Sequence, residues 1–322
     1  MRARKIIEVK NMNTIKINGF NCRYQLSGNL ESKETVVFIN GIASLLESWN
    51  GIKNGLESNY KLLGYDLRGQ WFSEVTHDKP YSFLTMADDL NALMEAFDID
   101  NAHLVSTSLG GEVAQWFALK YPHKAKSLTI VASVSEVNLL QIAQVTRWRD
   151  SAKKAVEELE ASNNDEQVRI KVAKEYYKEL LPEVYSNTYL ENNQETVEEK
   201  TNNFIAQATK EFFQGHVYLC DMFFRLRNEE KITGRLHEIK CPALVVAGEV
   251  DIIKPVKFSE IIANGISDSR LIVLKDAGHA IFHERVDELA EIVKDFIDEN
   301  RFESVSTYVG AGIKTCGSAL AC

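Results

Sequence analysis

Residues 136–235 run for 100 positions with only two glycines, Gly215 and Gly234, and one proline, Pro182. A stretch so poor in turn residues has few ways to fold except as helices. Its apolar residues agree: Ala173, Tyr177 and Leu181 step by four, as do Phe204, Ala208 and Phe212. The flanks read differently. Residues 14–17 and 22–26 form two expected strands around the turn Asn18-Gly19. The short runs 35–39, 60–65, 103–105 and 128–131 are nearly all apolar, as in strands buried on both faces. Between them, Met86, Leu90, Leu93 and Phe97, and then Leu109, Val113 and Phe117, carry helix spacing. Beyond the insertion, 243–247 and 271–274 are expected strands. Residues 281–300 read as one amphipathic helix, with Phe282, Val286, Leu289, Val293 and Phe296 on one face. Such alternation predicts an α/β fold with a mostly parallel central sheet flanked by helices. The expected organisation is a core at 13–135 and 236–302, a helical cap inserted at 136–235, and a flexible tail at 303–322.

Composition narrows the partners. The chain has 322 residues and a net charge of -9, from 37 basic and 46 acidic side chains. That diffuse acidity argues against nucleic acid or an anionic membrane as the main partner. No apolar run approaches the ~20 residues of a membrane span. The start is basic but lacks the apolar stretch of a secretory signal, and a strand-like pattern just after Met12 makes Met12 an alternative start. Five scattered cysteines, Cys22, Cys220, Cys241, Cys316 and Cys322, show neither zinc nor thioredoxin spacing. A cytoplasmic location is the expectation. Oligomeric state is not legible.

Chemistry concentrates at three places. The segment His103-Leu-Val-Ser-Thr-Ser-Leu-Gly-Gly-Glu lies between an expected strand and an expected helix. A sharp strand-to-helix turn there exposes a serine Oγ, and the helix N-terminus offers N–H groups to an oxyanion. Ser108 is the candidate nucleophile, with the small residues Ser106 and Gly110 two positions to either side. Asp251 follows the strand 243–247, and His279 follows the strand 271–274. Each therefore falls at the C-terminal end of a strand, where open parallel sheets bind ligands.

The order Ser108, Asp251, His279 resembles the nucleophile–acid–base order of the α/β-hydrolase superfamily. The resemblance extends over about residues 14–300. The segments Thr85-Met-Ala-Asp-Asp-Leu and Ser108-Leu-Gly-Gly are similar to the small-ester hydrolases and enol-lactonases of that superfamily. Tyr65-Asp-Leu-Arg-Gly69 resembles its D-x-R-G turn. Three departures stand out: Asn40-Gly41 for His-Gly, Ser106-Thr107 for Gly-His, and Gln70-Trp71-Phe72 for a small glycine turn. The first two also resemble acyltransferases that join hydroxyacyl chains. The resemblance implies a serine hydrolase for a carboxylic ester or lactone of a largely apolar small molecule. Its oxyanion hole would be the N–H groups of Leu109 and Ile42, with no cofactor and no metal. Acyl transfer, thioester hydrolysis and non-catalytic ligand binding are the alternatives.

Weaker signals have structural readings. Asp66-Leu-Arg is expected as a structural turn, and Glu136 as a secondary candidate for the acid. His283 shares a helical face with His279 without a third metal ligand nearby. His77 and His216 are expected at the surface or in the cap. Phe212, Phe213, Tyr218, Phe223 and Phe224 are expected to pack the cap core or to line an acyl pocket. The tail, rich in Ser, Thr, Gly and Cys, resembles in composition peptide cores that are modified at those residues.

Overall fold

The computed structural model describes residues 13–78 and 80–299. The expectations for Met12 as a start and for the tail with Cys316 and Cys322 lie outside the described residues. Eight strands form one sheet in the order β1-β2-β4-β3-β5-β6-β7-β8. They are β1 (Asn13–Ile17), β2 (Phe20–Gly28), β3 (Thr35–Ile39), β4 (Lys61–Tyr65), β5 (Ala102–Thr107), β6 (Ala125–Val131), β7 (Ala243–Gly248) and β8 (Ser269–Leu274). β1 and β2 pair antiparallel, β2 joins β4 antiparallel, and every later pairing is parallel.

The apolar runs read from the sequence serve two faces at once. Val37, Ile39, Leu63, Leu104, Leu128, Ile130 and Val245 point into one core, and Val36, Phe38, Leu62, Val105, Val131, Leu244 and Val246 into the other. The period of two in a strand produces this division. The first core is covered by α2 (Phe83–Ala96), α3 (Leu109–Lys120) and α9 (Val256–Gly265). The second is covered by α1 (Asn50–Lys53), α10 (Ile281–Glu284) and α11 (Val286–Glu299).

The helix expected over 281–300 is therefore two helices, broken at Arg285 with φ −132° and ψ 44°. Tertiary bonds compete with the helix there. The Glu284 carboxylate accepts from Ser186 N, Ser186 Oγ and Gly278 N at 3.0, 2.6 and 3.1 Å. The apolar face survives the break: Phe282, Leu289, Val293 and Phe296 all enter the second core.

Between β6 and β7 the glycine-poor stretch forms α4 (Leu139–Ala161), α5 (Glu166–Val184), α6 (Asn187–Asn192), α7 (Gln194–Gln207) and α8 (Lys210–Asn228). Local chemistry sets their starts. Asn138 and Gln141 form a reciprocal capping box, and Asp165, Ser186 and Thr209 cap the N-termini of α5, α6 and α8. Pro182 sits in the last turn of α5. α4, α5, α7 and α8 pack around Tyr176, Phe204, Phe212 and Phe213, whose rings meet at centroid distances of 5.3 to 6.4 Å, while Tyr189 and Leu190 of α6 rest on the second core. This body meets the sheet at one very tight seam. A Cβ on Gly215 of α8 would stand 1.7 Å from the carbonyl oxygen of Gly69. Among the described residues no helix is long and apolar enough to cross a membrane.

Candidate active site

β5 ends at Thr107, α3 begins at Leu109, and Ser108 makes the turn with φ 49° and ψ −123°. A positive φ costs a non-glycine residue about 1–3 kcal/mol, so its surroundings must impose it. They do so through backbone bonds. Ser108 N donates to Val131 O at 2.9 Å, and Ser108 O accepts from Gly111 N at 2.8 Å and from Ser133 Oγ at 3.0 Å. Glycine is required at 110, where a Cβ would lie 2.3 Å from Ile39 O. At 106 a serine suffices, because its Oγ donates to Thr129 O of the neighbouring strand at 2.8 Å.

His279 stands in the loop after β8, and Gly278 before it lies against the backbone of Ser186. His279 Nε2 is 3.0 Å from Ser108 Oγ, and His279 Nδ1 is 2.8 Å from Asp251 Oδ2. The other Asp251 oxygen accepts from Ile253 N and Lys254 N, each at 2.8 Å. The Asp251 carboxylate is thereby fixed in the turn after β7. The Nδ1 partner of His279 is Asp251, and Glu136 makes no bond to that ring.

Residues 40–46 form the loop that follows β3. It lies against the elbow, with the Cβ position of Gly41 3.1 Å from Ser108 Cβ. Ile42 N has no acceptor among the described residues. The Leu109 N–H is the first of α3 and has no intrahelical partner. The three candidate side chains and these two N–H groups thus come together at the C-terminal edge of the sheet.

What the sequence reading missed is how this loop is held. Gln70, where a glycine was the familial expectation, is buried. Its Nε2 donates to Gly41 O and Ser44 O, both at 2.9 Å, and its Oε1 accepts from Ala43 N at 3.2 Å. Asn40 replaces the familial histidine and is equally engaged. It accepts from Trp49 Nε1 at 2.7 Å and donates toward Asp66 Oδ1 at 3.2 Å. Asp66 also accepts from Leu46 N at 3.1 Å and Arg23 at 3.0 Å, so the Asp66-Leu-Arg turn anchors the loop from below. Burial outweighs Arg23 and pushes the Asp66 carboxyl up to about 7. The signal in the sequence was the cluster of departures itself: Asn40 and Gln70 both stand at departures and both hold one loop.

Ser108 and His279 open into a cavity of about 510 Å³ between the sheet edge and the five helices. Its lining is mainly apolar and aromatic, including Trp71, Val145, Trp148, Leu180 and Phe223. The aromatic group of α8 divides its work. Phe223 faces the cavity, Phe212 and Phe213 pack the helices, and Phe224 lies beneath Arg149. His77 is exposed and bonded to Tyr218 at 2.9 Å. His216, expected at the surface or in the cap, is buried in α8, bonded to Tyr176, and at the cavity wall. Burial lowers it to about 3. His283 bonds Tyr185 at 3.0 Å and is lowered to about 3, by burial first and then by the Lys200 charge. No group of three metal-ligating side chains occurs among the described residues. Lys254 Nζ meets Glu112 Oε1 at 2.6 Å in a buried pair that joins the turn of Asp251 to the first turn of α3.

Known proteins share this architecture. The sequence pattern described as alpha/beta hydrolase fold matches residues 34–286. Monoacylglycerol lipase ABHD6 of Rattus norvegicus is 25% identical over 280 residues, covering 85% of this chain and 78% of its own. 3-Oxoadipate enol-lactonase 1 of Acinetobacter baylyi is 21% identical over 272 residues, covering 83% and 90%. Among solved structures, the enol-lactonase from Burkholderia xenovorans superposes with a TM-score of 0.74 at 22% identity, covering 89% of this chain and 100% of its own. Strand order, elbow and matched span together place the chain as an enzyme of the α/β-hydrolase fold family.

Proposed function

We propose that the protein is a serine hydrolase that cleaves a carboxylic ester or lactone through an acyl-enzyme on Ser108. The observation that carries this reading is the continuous relay Ser108–His279–Asp251, opening into an apolar cavity. Relatives named as a lipase and an enol-lactonase support the bond type. In this reading Asp251 keeps the His279 proton on Nδ1, leaving Nε2 to accept the Ser108 proton as Oγ attacks the carbonyl. The oxyanion is held by the N–H groups of Leu109 and Ile42; one such donor is worth about 10²–10³ in kcat in other enzymes. The imidazolium then protonates the departing alkoxide. Water, deprotonated by His279, attacks the acyl-enzyme and releases the acid and free Ser108. The cavity lining supports a largely apolar substrate.

The same reading treats residues 136–235 as a cap over a core formed by 13–135 and 236–302, with 303–322 as a tail. Three free, buried cysteines, Cys22, Cys220 and Cys241, support a reducing, cytoplasmic setting. The test is labelling by a fluorophosphonate probe, followed by turnover of p-nitrophenyl esters from C2 to C12 and of lactones. Labelling and turnover that both vanish in Ser108→Ala are expected. A wild-type protein that neither labels nor turns over any of these substrates ends the hydrolase reading.

A further inference from the structure

Beside Phe204, the wall that α7 gives the cavity is polar. Thr196, Lys200, Asn203 and Gln207 recur at spacings of four, three and four, so they share one helix face, and that face borders the cavity. A polar face normally points to water. Here Glu195, Glu198 and Glu199 take the solvent side. Three Lys or Glu side chains border the cavity, and two of them are neutralised: Glu47 pairs with Arg23, and Lys254 with Glu112. Lys200 has no ion-pair or hydrogen-bond partner among the described residues. Burial lowers its ammonium below the ordinary lysine range, with the neighbouring Glu199 a weaker, opposing influence. A half-buried cation without a counter-ion at an apolar cavity is costly unless a ligand brings the opposite charge.

We infer that Lys200 is the recognition point for a carboxylate on the substrate, so that the substrate is an ester or lactone with an apolar body and one acidic end. This deepens the hydrolase reading above and rests on it. Asn203, one turn along α7, offers an amide N–H to the same carboxylate. One cation matches a monoanion, whereas a phosphate dianion would leave a charge uncompensated. Neutral His283 and Tyr185, beside Lys200, contribute hydrogen-bonding groups without a competing negative charge.

The experiment compares kcat/KM for mono-p-nitrophenyl glutarate with that for p-nitrophenyl butyrate. In Lys200→Met the ratio is expected to fall about 10- to 100-fold, the range of a hydrogen bond to a charged group, and mainly through KM. Lys200→Arg restores the ratio to within a few-fold, and Lys200→Glu lowers it further. An unchanged ratio in Lys200→Met overturns the inference. A second arm needs no turnover: calorimetric binding of monomethyl glutarate and of 4-phosphonobutyrate to Ser108→Ala, with and without Lys200→Met. Tenfold or greater weakening of the glutarate ester by Lys200→Met supports the inference. Undetectable binding, equal binding, or a tenfold preference for the phosphonate overturns it. Lys200-dependent binding by a protein without esterase activity would sink the hydrolase reading alone. Esterase activity with an unchanged ratio would sink this inference alone.

Discussion

The cavity has two walls of different construction. Along the sheet edge, backbone packs closely: the Cβ position of Gly110 lies 2.3 Å from Ile39 O, and that of Gly41 3.3 Å from Thr107 O. Across from it, the wall from α4 to α8 is a mosaic of side chains, with Trp148, Leu180, Lys200 and Phe223 each from a different helix. The first wall has almost no tolerance, because a misplaced backbone has no rotamer by which to relieve a clash. The second can change one contact at a time. In the proposed reading, chemistry therefore resides on the sheet side and selectivity on the helical side.

Substitutions can break this contrast. The largest effect is expected from Ser108→Ala, with kcat on a preferred ester falling about 10⁴-fold or more while far-ultraviolet dichroism is unchanged. Gly110→Ala comes next. Its methyl would meet Ile39 O at 2.3 Å, so both kcat and thermal stability should drop, by at least about 2 kcal/mol in urea unfolding. On the helical side, Leu180→Ala should cost a similar amount in unfolding, about 2–3 kcal/mol, yet keep kcat and shift the preferred acyl length. If kcat falls as far in Leu180→Ala as in Gly110→Ala, the two walls do not differ in the way argued. Gln70→Ala sharpens the division within the sheet side. It removes three bonds to the loop of Ile42, and kcat should fall about 10-fold with little change in KM.

The remaining effect is a slope. His216 is held at about 3 when folded and titrates near 6.5 when unfolded, so the unfolded chain binds the extra proton between those values. Its contribution to stability is complete above about pH 6.5 and is lost as the pH falls toward 3, by up to about 1.4 kcal/mol per pH unit. Urea midpoints of His216→Gln measured from pH 7 to pH 4.5 should fall less steeply than those of the wild type. Equal slopes would mean that His216 is not held neutral by burial.

The two regions were unequally legible. Strands of the sheet could be read because burial on both faces leaves unbroken apolar runs, as in β3 and β7. Ser108, Asp251 and His279 could be located because each follows such a strand. Glycine scarcity marked the helical stretch, but its internal arrangement depends on contacts between helices that no local period encodes. The break at Arg285 was invisible for the same reason, since Glu284 is claimed by Ser186, 98 positions away. Gln70 and Asn40 registered only as departures, because Gln70's partners are backbone atoms of a loop and Asn40's include Trp49 and Asp66, 9 and 26 positions away. Lys200 carries no signal in the sequence, where it follows Glu198 and Glu199 as the single lysine of α7. Its placement follows from the rotation of α7 about its axis, which packing of Val197 and Phe204 decides.

The contact of Gly215 with Gly69 bears on how such a molecule can be recombined. The five-helix body looks like a detachable module, bounded by two strands and free to be exchanged among relatives. At this point, however, the helix must run within a carbonyl's reach of the sheet-edge turn, and even one methyl group is excluded. A grafted insertion would therefore need a glycine at the matching step of its last helix. Without one it would ride higher on the sheet, and Trp71 would be left without its 4.3 Å partner Phe212. Donors for chimeras of this enzyme are best sorted by that single position before any comparison of overall helix length.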